Sequence, residues 1–118
     1  MRSDKLYLTD IVDAADAISS FVRGRTKEEF LVDDFFQSAV LQKFGIIGEA
    51  AGIVSDEMRH QYPFVPWQKS RGLRNAAVHR YFAVDWEVIW DTAIDDVPVL
   101  REQVARILEA EFPGGDEQ

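Results

Sequence analysis

The chain has no cysteine, which excludes a disulfide framework, thiolate metal ligation and a cysteine nucleophile. No apolar run approaches the roughly 20 residues a membrane span needs, and the opening MRSDKLYLTD carries no hydrophobic targeting segment. The expectation is a cytoplasmic protein without membrane attachment. Histidine is scarce too: His60 and His79 are the only two, well apart, a poor basis for a zinc site. There is no Gly-rich phosphate loop and no acidic motif with metal-ligand spacing, so neither metal nor cofactor is expected.

What the chain has is an uneven charge. Its 118 residues carry a formal net charge of −8, which argues against non-specific coating of nucleic acid. Yet Met58 to Val84 holds Arg59, Lys69, Arg71, Arg74, Arg80 and both histidines, with no acidic residue. Everything outside that window carries eight basic against 21 acidic residues, a balance of −13. A basic island in an acidic chain points either to one localised anion site or to a solvated basic face.

Hydrophobic residues make up 47% of the chain, enough for one core at this length. Four stretches have helical periodicity, and no stretch alternates convincingly as a strand. In the first, Leu8, Ile11, Ala15, Ile18 and Val22 form the apolar stripe, and Gly24 offers a stop. Thr26 and Glu29 read as a capping box opening a short turn. The second helix starts near Asp33 or Asp34, with Phe36, Val40, Phe44, Ile47, Ala51, Val54 and Met58 as its stripe. The third begins at Pro66–Trp67 and runs through RGLRNAAVHR. The fourth starts around Asp85 with a stripe from Trp86 to Ile107, and Pro98 within it should kink or interrupt it. Trp67, Trp86 and Trp90 read as core or interface anchors.

Such stripes can be buried only against one another. The predicted fold is therefore all-α, an antiparallel four- to five-helix bundle forming a single domain over residues 1–112, with 113–118 as a frayed tail. A second chain is expected to help cover the long fourth helix.

Two features need more than propensity. Gly45, Gly48 and Gly52 lie inside the second helix, where each glycine costs about 1 kcal/mol relative to alanine. A stripe of small residues lets another backbone approach closely. Beside it sits Glu49, the one charged residue between Phe44 and Ser55, which needs a cation if buried. Arg74 is the candidate partner, and partial exposure at the bundle edge is the alternative.

The third helix carries the chemistry. Asn75 and His79 are four apart and share a helical face. Arg74 and His79 are five apart, about 140° around a regular helix. They meet if the arginine reaches across or the helix loosens, so the helix is expected to end within a residue or two of His79. The imidazole and the Tyr81 hydroxyl then open onto one cleft. An arginine can grip a phosphate and stabilise a developing phosphorane, while a histidine can act as base and acid near neutrality. Spacing alone leaves open whether the pair serves structure or RNA backbone cleavage.

The segment GLRNAAVHRY resembles the Arg-x-x-x-x-His signature of the HEPN superfamily in its Arg-Asn-x-x-x-His form, and Tyr81 completes the HepT-like version. AVLQKFGIIGEAA (residues 39 to 51), VPW (65 to 67) and HRYFAVDWEVIW (79 to 90) fit the same branch in order. The resemblance implies a HEPN-like bundle that dimerises with its motifs facing across a cleft. It implies a metal-independent endoribonuclease acting as the toxin of a toxin–antitoxin pair. The partner it implies is a minimal nucleotidyltransferase antitoxin that silences the toxin by AMPylation of the motif tyrosine. Carried over, Arg74 and His79 are catalytic, Asn75 and Glu49 support the site, and Tyr81 is the modified residue. Lys69, Arg71 and Arg80 are expected at RNA phosphates. Arg80 departs from the branch, where an acidic residue is common, and should lower the pKa of His79. The competing reading is a non-catalytic helical module that binds a nucleotide or a nucleotidyltransferase.

Overall fold

Three long apolar stripes decide the core. A computed structural model describes residues 3–78 and 84–114; the described residues contain helices and no strand. Helix α1 (Asp4–Val22) buries Leu8, Ile11, Ala15 and Ile18, and it packs against α3 (Asp34–Ile53) and α8 (Val97–Glu111). From α3 come Val40, Phe44, Ile47 and Ala51; from α8 come Leu100, Val104 and Ile107, all buried. Arg101 of α8 donates through Nε to Asp16 of α1 at 2.9 Å, linking that pair at the surface. No helix among the described residues is long and apolar enough to cross a membrane.

The ends of these helices follow local rules. Gly24 closes α1 with φ +74°, a left-handed conformation that glycine adopts without strain. Thr26 and Glu29 form the full capping box of α2 (Lys27–Leu31). The Thr26 amide and the Arg25 guanidinium, both donating to the Glu29 carboxylate, hold its pKa below the usual carboxylate range. Asp33 is the N-cap of α3 and accepts from the Phe36 amide at 3.0 Å. At this corner Phe30 lies edge-on to Phe36 at 5.0 Å and to Trp86 at 5.9 Å, with Trp90 at 5.5 Å. The aromatic cluster pins α7 (Trp86–Asp91), so Trp86 and Trp90 are core anchors as expected.

Two boundaries differ from the sequence reading, while the interruption expected at Pro98 is present. The second helix does not run on to Met58: α3 stops at Ile53, and α4 (Asp56–Gln61) starts afresh. Ser55 caps α4 by accepting from the Met58 amide at 3.2 Å, while its own amide and hydroxyl donate to the Asp4 carboxylate at 3.0 and 2.6 Å. A contact across 51 positions thus breaks an otherwise continuous stripe, though Val54 and Met58 are buried all the same.

The predicted third helix is two segments, α5 (Trp67–Arg71) and α6 (Leu73–Val78). Gly72 donates to both the Gln68 and Lys69 carbonyls, and the Asn75 amide reaches only three residues back, to Gly72. The winding tightens there. In the fourth helix, Pro98 is preceded by a π-helical turn over Thr92–Asp96, where the Val97 amide reaches back five residues to Thr92. Pro98 has no amide for the Ile94 carbonyl, and the wider turn absorbs that missing bond.

The aromatic corner yields a stability test. Phe30→Ala should cost about 3–5 kcal/mol, because the ring is fully buried and edge-packed. Phe35→Ala, at a ring 86% exposed nearby in the sequence, should stay within about 0.5 kcal/mol of the parent. Urea unfolding followed by circular dichroism checks both.

Candidate functional site

The site is built where α5 and α6 cross α3. The stripe of small residues on α3 serves the purpose its spacing suggested. A methyl carbon placed on Gly48 would lie 2.7 Å from Arg74 Cβ, 3.0 Å from the Arg71 carbonyl oxygen and closer still to the Arg74 amide nitrogen. Only glycine admits that approach. Gly52, one turn on, lies under the Arg71 side chain, with a comparable methyl 3.3 Å from Nε. The chain therefore seats the backbone of Arg74 on Gly48 and lays Arg71 over Gly52.

Above this floor is an open groove of about 440 Å³. Helix α3 lines it with Gly48, Glu49, Gly52 and Ile53, and the α5–α6 segment lines it with Gln68, Arg71, Gly72, Arg74 and Asn75. Arg71, Arg74, Asn75 and Glu49 are all exposed. Among the described residues Arg71 and Arg74 form no ion pair, although carboxylates outnumber cations in this chain. Glu49 is not the buried partner of Arg74: it sits exposed at the groove wall and forms no salt bridge among the described residues, so the edge alternative describes it. Two guanidinium groups that form no ion pair among the described residues, next to an asparagine amide, make a receptive surface for phosphate.

The rest of the basic island is divided. Arg59 pairs with Asp56, holding that carboxyl below its ordinary pKa, and donates to the Ala51 and Gly52 carbonyls at 3.4 Å each. It closes the end of α3. Lys69 faces away from the groove, pairing with Asp96 at 3.7 Å beside a separate, largely apolar hollow. The structure thus brings Arg71, Arg74, Asn75 and Glu49 together and leaves Lys69 on the opposite side of α5. His79, Arg80 and Tyr81 lie outside the described residues. Gln68 was not singled out from the sequence; its place one turn before Arg71 was the available signal, obscured by the break at Gly72.

Comparison with known proteins matches this chain to a family. A family model described as HepT-like ribonuclease covers residues 11–107. A Thermococcus cleftensis protein named "Probable ribonuclease HepT" is 36% identical over 90% of this chain and 96% of its own length. A protein of Methanocaldococcus jannaschii named as a candidate RNase is 33% identical over 87% of this chain and 94% of its own. A longer protein of the same organism, named for both a gamma-glutamylcyclotransferase and an RNase, is 33% identical, and this chain spans half its length. No solved structure gives a significant match. The chain belongs to the HepT-like ribonuclease family, a family of RNA endonucleases.

The glycine floor makes a paired prediction. Gly48→Ala gains about 1 kcal/mol of helix propensity but forces backbone apart, and overpacking of this kind costs about 1–3 kcal/mol. It should lower the melting temperature. In Gly52→Ala only the Arg71 side chain must move, so stability should match or exceed the parent. Thermal melts of the two variants check the contrast.

Proposed function

We propose that this chain is a metal-independent endoribonuclease, the toxin of a HEPN–nucleotidyltransferase toxin–antitoxin pair. The observation that carries the reading is the placement of Arg71, Arg74 and Asn75 along one groove, the two arginines forming no ion pair among the described residues, in the segment that leads into His79 and Tyr81. In this reading the RNA supplies its own nucleophile. His79 takes the proton of the 2′-hydroxyl, whose oxygen attacks the adjacent phosphorus. Arg74 stabilises the charge that gathers on the phosphorane, and Asn75 orients the phosphate. The 5′-oxygen leaves with a proton, giving a 2′,3′-cyclic phosphate and a 5′-hydroxyl. Arg71 and Arg80 hold flanking phosphates, and a homodimer joins two such grooves.

The antitoxin in this reading is a minimal nucleotidyltransferase. It transfers AMP from ATP to the Tyr81 hydroxyl with release of pyrophosphate. The new phosphodiester brings about one negative charge, which an arginine of the site can take up, and the adenosine fills space the RNA backbone needs. Silencing then requires occupancy and charge neutralisation alone.

Purified protein should cleave single-stranded RNA in EDTA. Arg74→Ala and His79→Ala should each lose about 10²- to 10³-fold in rate while keeping the parental circular dichroism spectrum. Tyr81→Phe should remain active and escape AMP addition when co-expressed with the nucleotidyltransferase, as read by intact-mass spectrometry. Full cleavage by either alanine variant would remove Arg74 or His79 from the mechanism. Absence of cleavage by the parent would favour a non-catalytic binding module.

A further inference from the structure

Glu49 is the one groove residue that a phosphate-binding surface does not explain. A carboxylate beside Arg71 and Arg74 weakens the attraction of both for a phosphate, and among the described residues it forms no ion pair that would account for its position. Its surroundings offer a reason. Glu49 and Ile53 line the cationic groove on one side and a second hollow, of about 330 Å³, on the other. That hollow lies between α1 and α3. Tyr7, Asp10, Ile46 and Ala50 also line it.

The two hollows therefore differ in chemistry and share a wall. One offers guanidinium groups and amides; the other offers an aromatic ring, aliphatic side chains and carboxylates. A nucleotide has the same two halves, an anionic phosphate and a flat, largely apolar base, separated by a sugar. The carboxylates oppose a phosphate in the second hollow and so favour one direction of seating, phosphate toward Arg74 and base toward Tyr7. Stacking of single-stranded RNA bases on aromatic side chains, with their Watson–Crick edges read by polar groups, is a general mode of recognition.

We infer that the α1–α3 hollow is a base-binding subsite in which Glu49 selects guanine. This inference rests on the groove of Arg71 and Arg74 being the phosphate seat proposed above. An ionised carboxylate only accepts hydrogen bonds. Guanine presents two adjacent donors on its Watson–Crick edge, N1–H and the N2 amino group, and the two carboxylate oxygens can take both. Adenine and cytosine each offer one amino donor beside a ring acceptor, which a carboxylate repels. Uracil offers one N–H flanked by two carbonyl oxygens. Guanine alone matches both oxygens of Glu49.

The test is binding rather than cleavage, so it separates this inference from the nuclease reading. The 5′-monophosphates of guanosine, inosine, adenosine, cytidine and uridine are titrated into the full chain and followed by NMR chemical shifts. Good bidentate pairs discriminate by roughly 5- to 150-fold, and an exposed site should reach at least the lower end for guanosine over adenosine. Inosine, which lacks the N2 amino group, should bind with intermediate affinity. Glu49→Gln, whose amide presents one donor where an acceptor is needed, should level the series while retaining phosphate-driven binding to Arg74. Glu49 is exposed, so this variant should melt with the parent. Equal affinity for all five nucleotides, no binding at all, or a guanine preference that survives in Glu49→Gln would overturn the assignment. A chain that prefers guanine through Glu49 yet cuts no RNA would keep the subsite and refute the nuclease proposal.

Discussion

The approach of the Arg74 backbone to Gly48 is the contact on which the site depends. The α5–α6 segment is short, interrupted at Gly72, and too small to hold a position by its own helical bonds. It is held because α3 has no side chain where the two backbones meet. The glycine costs helix stability, and the close packing it permits offsets that cost while aiming two arginines along a single groove. Trp67, buried and donating to the Tyr62 carbonyl at 2.9 Å, anchors the other end of the segment. The groove is therefore built on a framework of rigid elements, even though its functional side chains are exposed.

Charge is partitioned as carefully as packing. Arg25, Arg59, Lys27, Lys69 and Arg101 are each matched with a carboxylate, most of them on the surface, where such pairs contribute little to stability. Their effect is to spend the cations away from the groove on local partners. Arg71 and Arg74 are left without one among the described residues, in a chain whose net charge is negative. A strongly acidic protein can thus present one basic surface to an anion without becoming a general polyanion binder. That combination suits an RNA substrate read at one place.

Membership of the HepT-like ribonuclease family rests on nearly the whole chain, whereas the site is decided by a few residues within it. Glu49 illustrates the difference. Its place in the small-residue stretch marked it as unusual, but its neighbours decide its chemistry. Exposed at the groove wall beside Arg74, it is not half of a buried salt bridge.

Much of this was legible in the residues themselves. Apolar stripes at three- and four-residue spacing located the long helices, because burying one face of a helix requires that period. The caps at Thr26, Asp33 and Asp85 and the turn at Gly24 were legible because they are satisfied by neighbours within four positions. The family resemblance was legible because several contiguous segments, the motif around Arg74 among them, follow one another in the expected order. Other features were settled only by contacts distant in the chain. Asp4 breaks the second helix at Ser55, and Asp96 draws Lys69 off the groove. The order of residues set which groups are charged and which helices form. The tertiary structure decided which of those charges remain free, because an ion pair depends on what folding brings within a few ångströms.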